Sequence, residues 1–313
     1  MRVNAMRFRS PTFLVLVLMM LLTASLAAGQ QPQTAATSKT KIVLLGTGNP
    51  GPDPDRSGPA TAIVVNDTAY LVDFGPGVVR RASAAFLDKG IKALEPTKLR
   101  VAFVTHLHSD HTVGYADLIF TPWTIGRRVP LEVYGPKGLR AMTEHLLEAY
   151  RVDIETRTNP DGNQRGFPEG HNVNAHEISP GVVYKDANVT VTAFATKHAM
   201  ESYGYRFDTS DRSIVISGDT NPAQETIDAC RNCDVLIHEA NTPAWLATRP
   251  ETFQRFAAKY HTTTAQLAEL ARQAKPRLLI LYHYSGLSRE ELFDDMLTHY
   301  SGPFVIGRDL DVY

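Results

Sequence analysis

The sequence predicts an α/β fold. Two observations carry that expectation: apolar, β-branched runs recur from Lys41 to Tyr313, and helical periodicity fills several gaps between them without a long linker. The runs are KIVLL, TAIVV, AYLVD, LRVAFVT, LEVYG, VTVTAFAT, SIVIS, DVLI, LLILY and PFVI, each a strand candidate. Helices are expected over 77–89, 137–150, 222–230, 263–274 and 288–299. In the second of these Leu139, Met142, Leu146, Leu147 and Tyr150 share a face. In the fourth, Thr263 and Gln266 have the spacing of a capping box. Residues 155–176 (ETRTNPDGNQRGFPEGHNVNAH) show no period and read as a long surface loop.

The 313 residues suffice for one domain with a sizeable core. A chain 43% hydrophobic and 21% charged is not disordered, collagen-like or coiled-coil, and two Cys cannot frame a disulfide mini-protein. Arg2, Arg7 and Arg9 precede a 16-residue apolar run, Phe13 to Ala28, that ends in small residues. This is the pattern of a secretory signal over 1–28, and the run is shorter than the ~20 residues that span a bilayer. The chain is therefore expected to be exported, periplasmic or secreted, with no stable membrane insertion after processing. Residues 29–40 read as a disordered lead-in and 41–313 as the folded domain. Formal net charge is −1; without 1–28 the chain keeps 29 basic against 33 acidic residues, a net charge of −4. That balance suits polyanionic nucleic acid poorly.

Gly46-Thr-Gly48-Asn-Pro-Gly51 matches a dinucleotide-binding glycine pattern after a strand, but such a site needs a helix to start there. Pro50, Pro52, Pro54 and Pro59 prevent one, since proline inside a helix costs about 3 kcal/mol or more. A tight turn is expected instead, and no nucleotide cofactor.

The chemistry concentrates elsewhere. VAFVT runs into His106-Leu-His108-Ser-Asp110-His111, three His within six residues of a chain holding 11 in all. If His106 and His108 continue the strand they point to one side, and a turn then brings Asp110 and His111 to the same end. Imidazoles with a carboxylate and no thiol suit zinc, or less selectively iron or manganese. His198 follows VTVTAFATK, Asp219 follows SIVISG, His238-Glu239 end DVLI and His283 ends LLILY, all at strand ends where α/β sheets present ligands. Asp73 in LVDFGPG is expected to bond turn amides beside the site. His238 is expected to pack at a strand end, His145 and His299 to lie on helices, and His171 and His176 in the loop.

HLHSDH resembles the signature of the metallo-β-lactamase superfamily. His198 with Gly204-Tyr205-Arg206, then SGDT, HEA at 238–240, His261-Thr-Thr and His283-Tyr-Ser are similar to the ribonuclease Z/arylsulfatase/phosphodiesterase branch, as is LLGTGNPGP with Arg56 and Gly58. The resemblance runs over about 41–285 and implies a four-layer αββα sandwich with two mixed sheets. It implies two Zn2+ per chain, with Mn2+ or Fe2+ as substitutes: His106, His108 and His198 on one, Asp110, His111 and His283 on the other, Asp219 bridging. Paired metals lower the pKa of a bridging water to near neutrality, so hydroxide is available at pH 7. Asp110, Glu239 and His261 are the catalytic residues it implies, with Glu239 orienting His261 as proton donor to the leaving alkoxide. The helix that follows His261 is expected to favour its neutral form.

The function these features imply is exported hydrolysis of phosphodiester or sulfate-ester bonds. The alternatives are a lactone, thioester or β-lactam on the same site, or a non-catalytic zinc-binding protein. A small-molecule ester is the expected substrate and a homodimer the oligomer allowed for. Transfer RNA is not expected, because 155–176 holds only Arg157 and Arg165 against Glu155, Asp161 and Glu169. Cys230-Arg-Asn-Cys233 has neither a second pair for zinc nor a redox context, and in an oxidising compartment would close a small disulfide.

Overall fold

A computed structural model describes residues 39–159 and 167–313. In β1 (Thr40–Gly46) the apolar residues alternate: Ile42 and Leu44 face one layer, Val43 and Leu45 another, and all four are fully buried. β2 (Ala60–Val65), β3 (Thr68–Val72), β4 (Val101–Phe103), β5 (Leu131–Gly135) and β6 (Val173–Glu177) extend this sheet in chain order. Its first three strands are antiparallel and β3 to β6 are parallel.

The second sheet comprises β7 (Gly181–Lys185), β8 (Val189–Ala195), β9 (Tyr203–Thr209), β10 (Ser213–Ile216), β11 (Val235–Asn241), β12 (Leu278–Ser285) and β13 (Phe304–Ile306), again neighbours in chain order. β7 to β10 are antiparallel and β10 to β13 parallel. Both sheets are thus mixed, and each parallel half needs crossover helices to cover it.

Those helices are α1 (Val78–Lys89), α2 (Ser109–Thr112), α3 (Tyr115–Thr124), α4 (Leu139–Ala149) and α5 (Arg151–Thr158) in the first half. The second half supplies α6 (Gln224–Cys230), α7 (Pro243–Ala247), α8 (Glu251–Tyr260), α9 (Thr264–Ala274) and α10 (Arg289–His299). Three apolar layers result. Val43 and Leu71 pack with Val78 of α1, Leu118 of α3 and Leu139 of α4. Ile42 and Phe103 meet Val191, Phe207 and Ile237 between the sheets. Leu236 and Leu279 pack with Leu267 of α9 and Met296 of α10. The architecture is the expected αββα sandwich.

The middle layer is closed by aromatic rings. Phe103 stacks on Tyr134 at 5.3 Å and meets Tyr205 and Phe207 of the other sheet at 5.4 and 5.5 Å. At one edge Asp186 accepts hydrogen bonds from Tyr70 of β3 (2.6 Å) and Tyr184 of β7 (3.0 Å), joining the two sheets.

All five expected helices are present within two residues of their expected ends, and the Thr263–Gln266 capping box forms. No helix follows the glycine pattern; a Cβ on Gly46 would lie 1.9 Å from the Gly58 carbonyl oxygen, so only glycine lets the chain pass this close to the end of β1. Cys230 and Cys233 are disulfide-bonded. Three expectations need correcting. The loop 155–176 is shorter, because α5 runs to Thr158 and β6 begins at Val173, which places His176 on a strand. β4 ends at Phe103, so His106 and His108 stand on the loop beyond it rather than on the strand itself. Thr40 already belongs to β1, whereas the rest of the lead-in up to residue 38 and the signal segment 1–28 lie outside the described residues. Among the described residues no helix is long and apolar enough to cross a membrane.

Candidate metal centre and active site

Every candidate donor reaches one place at the C-terminal ends of the strands. The loop after β4 brings His106 and His108; α2, one turn long, brings Asp110 and His111. The turn after β10 brings Asp219, and there Gly218 sits at φ +62°, where a Cβ would lie 2.8 Å from that of Thr105. Only glycine lets this turn close onto the Thr105–His106 loop. His283 stands within β12 at φ +45°, and Asp73 follows β3 at φ +62°. Such backbone in non-glycine residues costs about 1–3 kcal/mol and clusters at functional sites.

Two donor groups form. His106 Nε2 and His198 Nε2 each lie 3.0 Å from His108 Nδ1. His283 Nε2 lies 3.1 Å from Asp219 Oδ1 and 3.6 Å from Asp110 Oδ2, and His111 Nε2 lies 3.4 Å from Asp219 Oδ1 and 3.5 Å from Asp110 Oδ2. The donors of His106, His108 and His198 lie within 4.8 Å of one another, as do those of Asp110, His111 and His283; Asp219 groups with His106 and His111.

These residues fit a divalent cation. Asp110 Oδ2, His111 Nε2 and Asp219 Oδ1 are buried without a hydrogen-bond partner. An unsatisfied buried polar atom costs about 1–3 kcal/mol, and one cation satisfies several at once. Nitrogen and carboxylate donors without thiolate suit zinc and its first-row neighbours.

The outward nitrogens are fixed by the scaffold. His111 Nδ1 bonds Asp73 Oδ2 at 2.9 Å, and Asp73 Oδ1 accepts the Thr105 amide at 2.7 Å. His198 Nδ1 donates to the Tyr260 carbonyl (3.1 Å) and His283 Nδ1 to that of Gly48 (2.6 Å). Such partners set ring orientation and turn the other nitrogen inward. Burial pushes the His198 imidazole down to about 4 and His106 well below its ordinary range, so both are neutral donors at pH 7. Burial also disfavours charge on His111, but Asp219 and Asp73 outweigh it and raise its pKa.

Glu239, in β11, is fully buried, and its carboxylate takes the Thr220 amide at 2.7 Å and His261 Nδ1 at 2.8 Å. The expected preference of His261 for its neutral form rests on the helix that follows, and its carboxylate neighbour pulls the other way. Burial does lower its pKa, but the Glu239 charge and hydrogen bond raise it to about 9. His261 also caps the C-terminal end of α8, where a helix favours a cation. His261 Nδ1 is 3.9 Å from Asp219, so the pair adjoins the donor cluster. Both groups border a cavity of about 600 Å³ that Trp245, Phe253 and Phe256 also line, with the Phe256 ring 5.5 Å from that of His261.

Asp73 takes its expected place beside the site. His238 is buried in β11 and bonds its neighbour's carbonyl; His145 and His299 are exposed on α4 and α10. His171 packs on Trp123, and His176 pairs with Glu132 at 2.8 Å, both away from the donors. Sequence reasoning missed the Gly48 and Tyr260 carbonyls, because every residue has one and only the fold selects which is used. It also passed over Thr105, whose hydroxyl lies 3.0 Å from His106 Nδ1.

Residues 68–284 match the family described as beta-lactamase superfamily domain. Ribonuclease Z of Mycobacterium sp. (strain KMS) is 34% identical over 235 residues, 73% of this chain and 78% of the relative. Among solved structures, the metallo-beta-lactamase fold protein YhfI from Bacillus subtilis aligns with TM-score 0.65 at 20% identity, over 88% of this chain and 100% of that one. The short form of human tRNase Z aligns with TM-score 0.63 at 21% identity, over 87% and 98%. Relatives named for an RNA activity overturn the expectation of a small-molecule ester substrate with transfer RNA excluded. That expectation rested on the acidic net charge and on the few arginines of 155–176, whereas phosphate contact is local and other segments can make it; Arg249, for one, lines the cavity itself. The chain belongs to the metallo-β-lactamase superfamily of metal-dependent hydrolases, among relatives named ribonuclease Z.

Proposed function

We propose that this protein hydrolyses phosphodiester bonds in RNA with two divalent ions, zinc by preference. The observation that carries the reading is the pairing of two adjacent donor clusters with a Glu–His pair whose carboxylate is buried and whose imidazole borders the cavity. His106, His108 and His198 would hold one ion, Asp110, His111 and His283 the other, with Asp219 between them. Such ions, when bound, supply Lewis-acid charge beside a phosphoryl centre and bring the pKa of water near neutrality.

The chain's own residues do the rest. Asp73, Thr105 and the Gly48 and Tyr260 carbonyls hold the imidazoles in place. Water oxygen bonds to phosphorus as the ester P–O bond breaks; the leaving alkoxide takes a proton from His261, and the proton the water gives up passes to solvent, from which His261 is recharged. With Nδ1 bound to Glu239, Nε2 is the nitrogen left for the cavity, and the carboxylate stabilises the cation before transfer. The site thus separates donors that hold charge from a pair that moves a proton.

His261→Ala tests this assignment. The variant should keep the metal content of the unsubstituted chain and lose about 10²–10⁴-fold in RNA cleavage. Loss of metal together with activity, or cleavage that is unaffected, would contradict the role given to His261.

A further inference from the structure

The segment between the Glu239 strand and His261 is a helical hairpin, α7 and α8, and it is tied to the site at both ends. Asn241 and Thr242 donate their amides to the carbonyls of Thr262 and Ser285, each at 3.0 Å. At the far end the Tyr260 carbonyl holds His198. Thr242 Oγ1 caps α7 by accepting the Trp245 amide. The hairpin is therefore anchored to the site at both ends, and it carries side chains that line the cavity.

Those side chains are aromatic and incompletely covered. Trp245 and Phe253 meet edge to face at 5.7 Å, Phe253 is 37% exposed, and Phe256 lies 5.5 Å from the His261 ring. The Arg249 guanidinium sits 5.0 Å over Trp245. All four border the cavity that also contains Asp110, Asp219 and His283. Exposed aromatic surface facing a reactive site is unusual for a packing role alone, and its partner in a nucleic acid is a base. Metal ligands and the Glu–His pair handle phosphate and proton; none of them recognises a base.

We infer that Trp245 and Phe253 form a stacking site for an unpaired nucleobase, that of the nucleoside on the leaving-group side of the scissile phosphate, with Arg249 meeting an adjacent phosphate. The side follows from geometry: the aromatic wall continues through Phe256 onto His261, the residue that protonates the leaving oxygen. The attacking side faces the donor clusters instead. This inference rests on the RNA reading above and specifies it: the substrate must present an unstacked base at the cleavage point, as single-stranded ends and junctions do.

The test uses the full chain with its metals and an RNA whose cleavage position has been mapped. An abasic residue on the leaving-group side should lower kcat/KM about tenfold, and one on the other side should not. Trp245→Leu and Phe253→Leu should each lower kcat/KM on intact RNA by a similar factor and abolish the difference between intact and abasic substrates. Trp245→Phe should restore most of it. Independently, adenosine 3′-monophosphate should quench tryptophan fluorescence, ribose phosphate should not, and Trp245→Leu should remove the response. Equal turnover of intact and abasic RNA by the unsubstituted enzyme, with no quenching, overturns the stacking site even if a variant misfolds. Quenching without cleavage of any RNA would retain the site and overturn the hydrolase reading instead.

Discussion

Asp73 faces no substrate, yet two parts of the centre depend on it. Its carboxylate is 1% exposed, holds the His111 ring at 2.9 Å and receives the Thr105 amide at 2.7 Å. Asp73→Ala should therefore weaken metal binding about 10–100-fold without removing a donor, as read by competition with a chelator. Unchanged affinity would show that the scaffold alone orients His111. Much of the donor grouping was legible at this scale, because His106, His108, Asp110 and His111 fall within six residues and His198, Asp219 and His283 each lie just past a recognisable apolar run. The pairing of His261 with a carboxylate was not, except through the family resemblance. The sequence shows the helix that follows it, but not that Glu239 comes within 2.8 Å or that α8 ends on it.

Among the elements, β4 is only three residues long and yet central, since Phe103 joins both sheets through Tyr134, Tyr205 and Phe207. Phe103→Ala should cost about 3–5 kcal/mol in a urea titration. A loss below about 1 kcal/mol would mean that the aromatic layer collapses around the gap. Helices with one apolar face, such as α4 and α9, were legible from periodicity. α3 was not, because Tyr115, Leu118, Ile119, Phe120 and Trp123 leave little polar face and Pro122 interrupts the pattern. α8 carried a helical signal that went unread: Phe253, Phe256, Ala257 and Tyr260 fall on one face at i, i+3, i+4 and i+7. β9 alternates Tyr203, Tyr205 and Phe207 with Gly204, Arg206 and Asp208, a half-polar pattern that forms no apolar run.

Across the whole molecule, Asp186 clasps one sheet to the other. Burial alone would raise its pKa, but hydrogen bonds from Tyr70, the amides of Asn188 and Val189, and Tyr184 outweigh that and hold it below the ordinary value. A depressed carboxyl stabilises the fold above its unfolded pKa of about 3.9 and loses that contribution as pH falls through the folded value. Asp186→Asn should accordingly destabilise the metal-free chain in urea at pH 7, and the difference should shrink below about pH 4. A difference independent of pH would assign the effect to packing. At the same scale we propose that residues 1–28 direct export, which fractionation of expressing cells and the N-terminal sequence of the accumulated protein would check.

The central claim is that two divalent ions at one site serve RNA hydrolysis. Its most direct test counts metal on the purified chain while following cleavage of a structured RNA before and after chelation. About two ions per chain are expected, with cleavage that stops on chelation and returns with zinc. Stoichiometric metal with no RNA hydrolysis, or hydrolysis that survives complete metal removal, would contradict it.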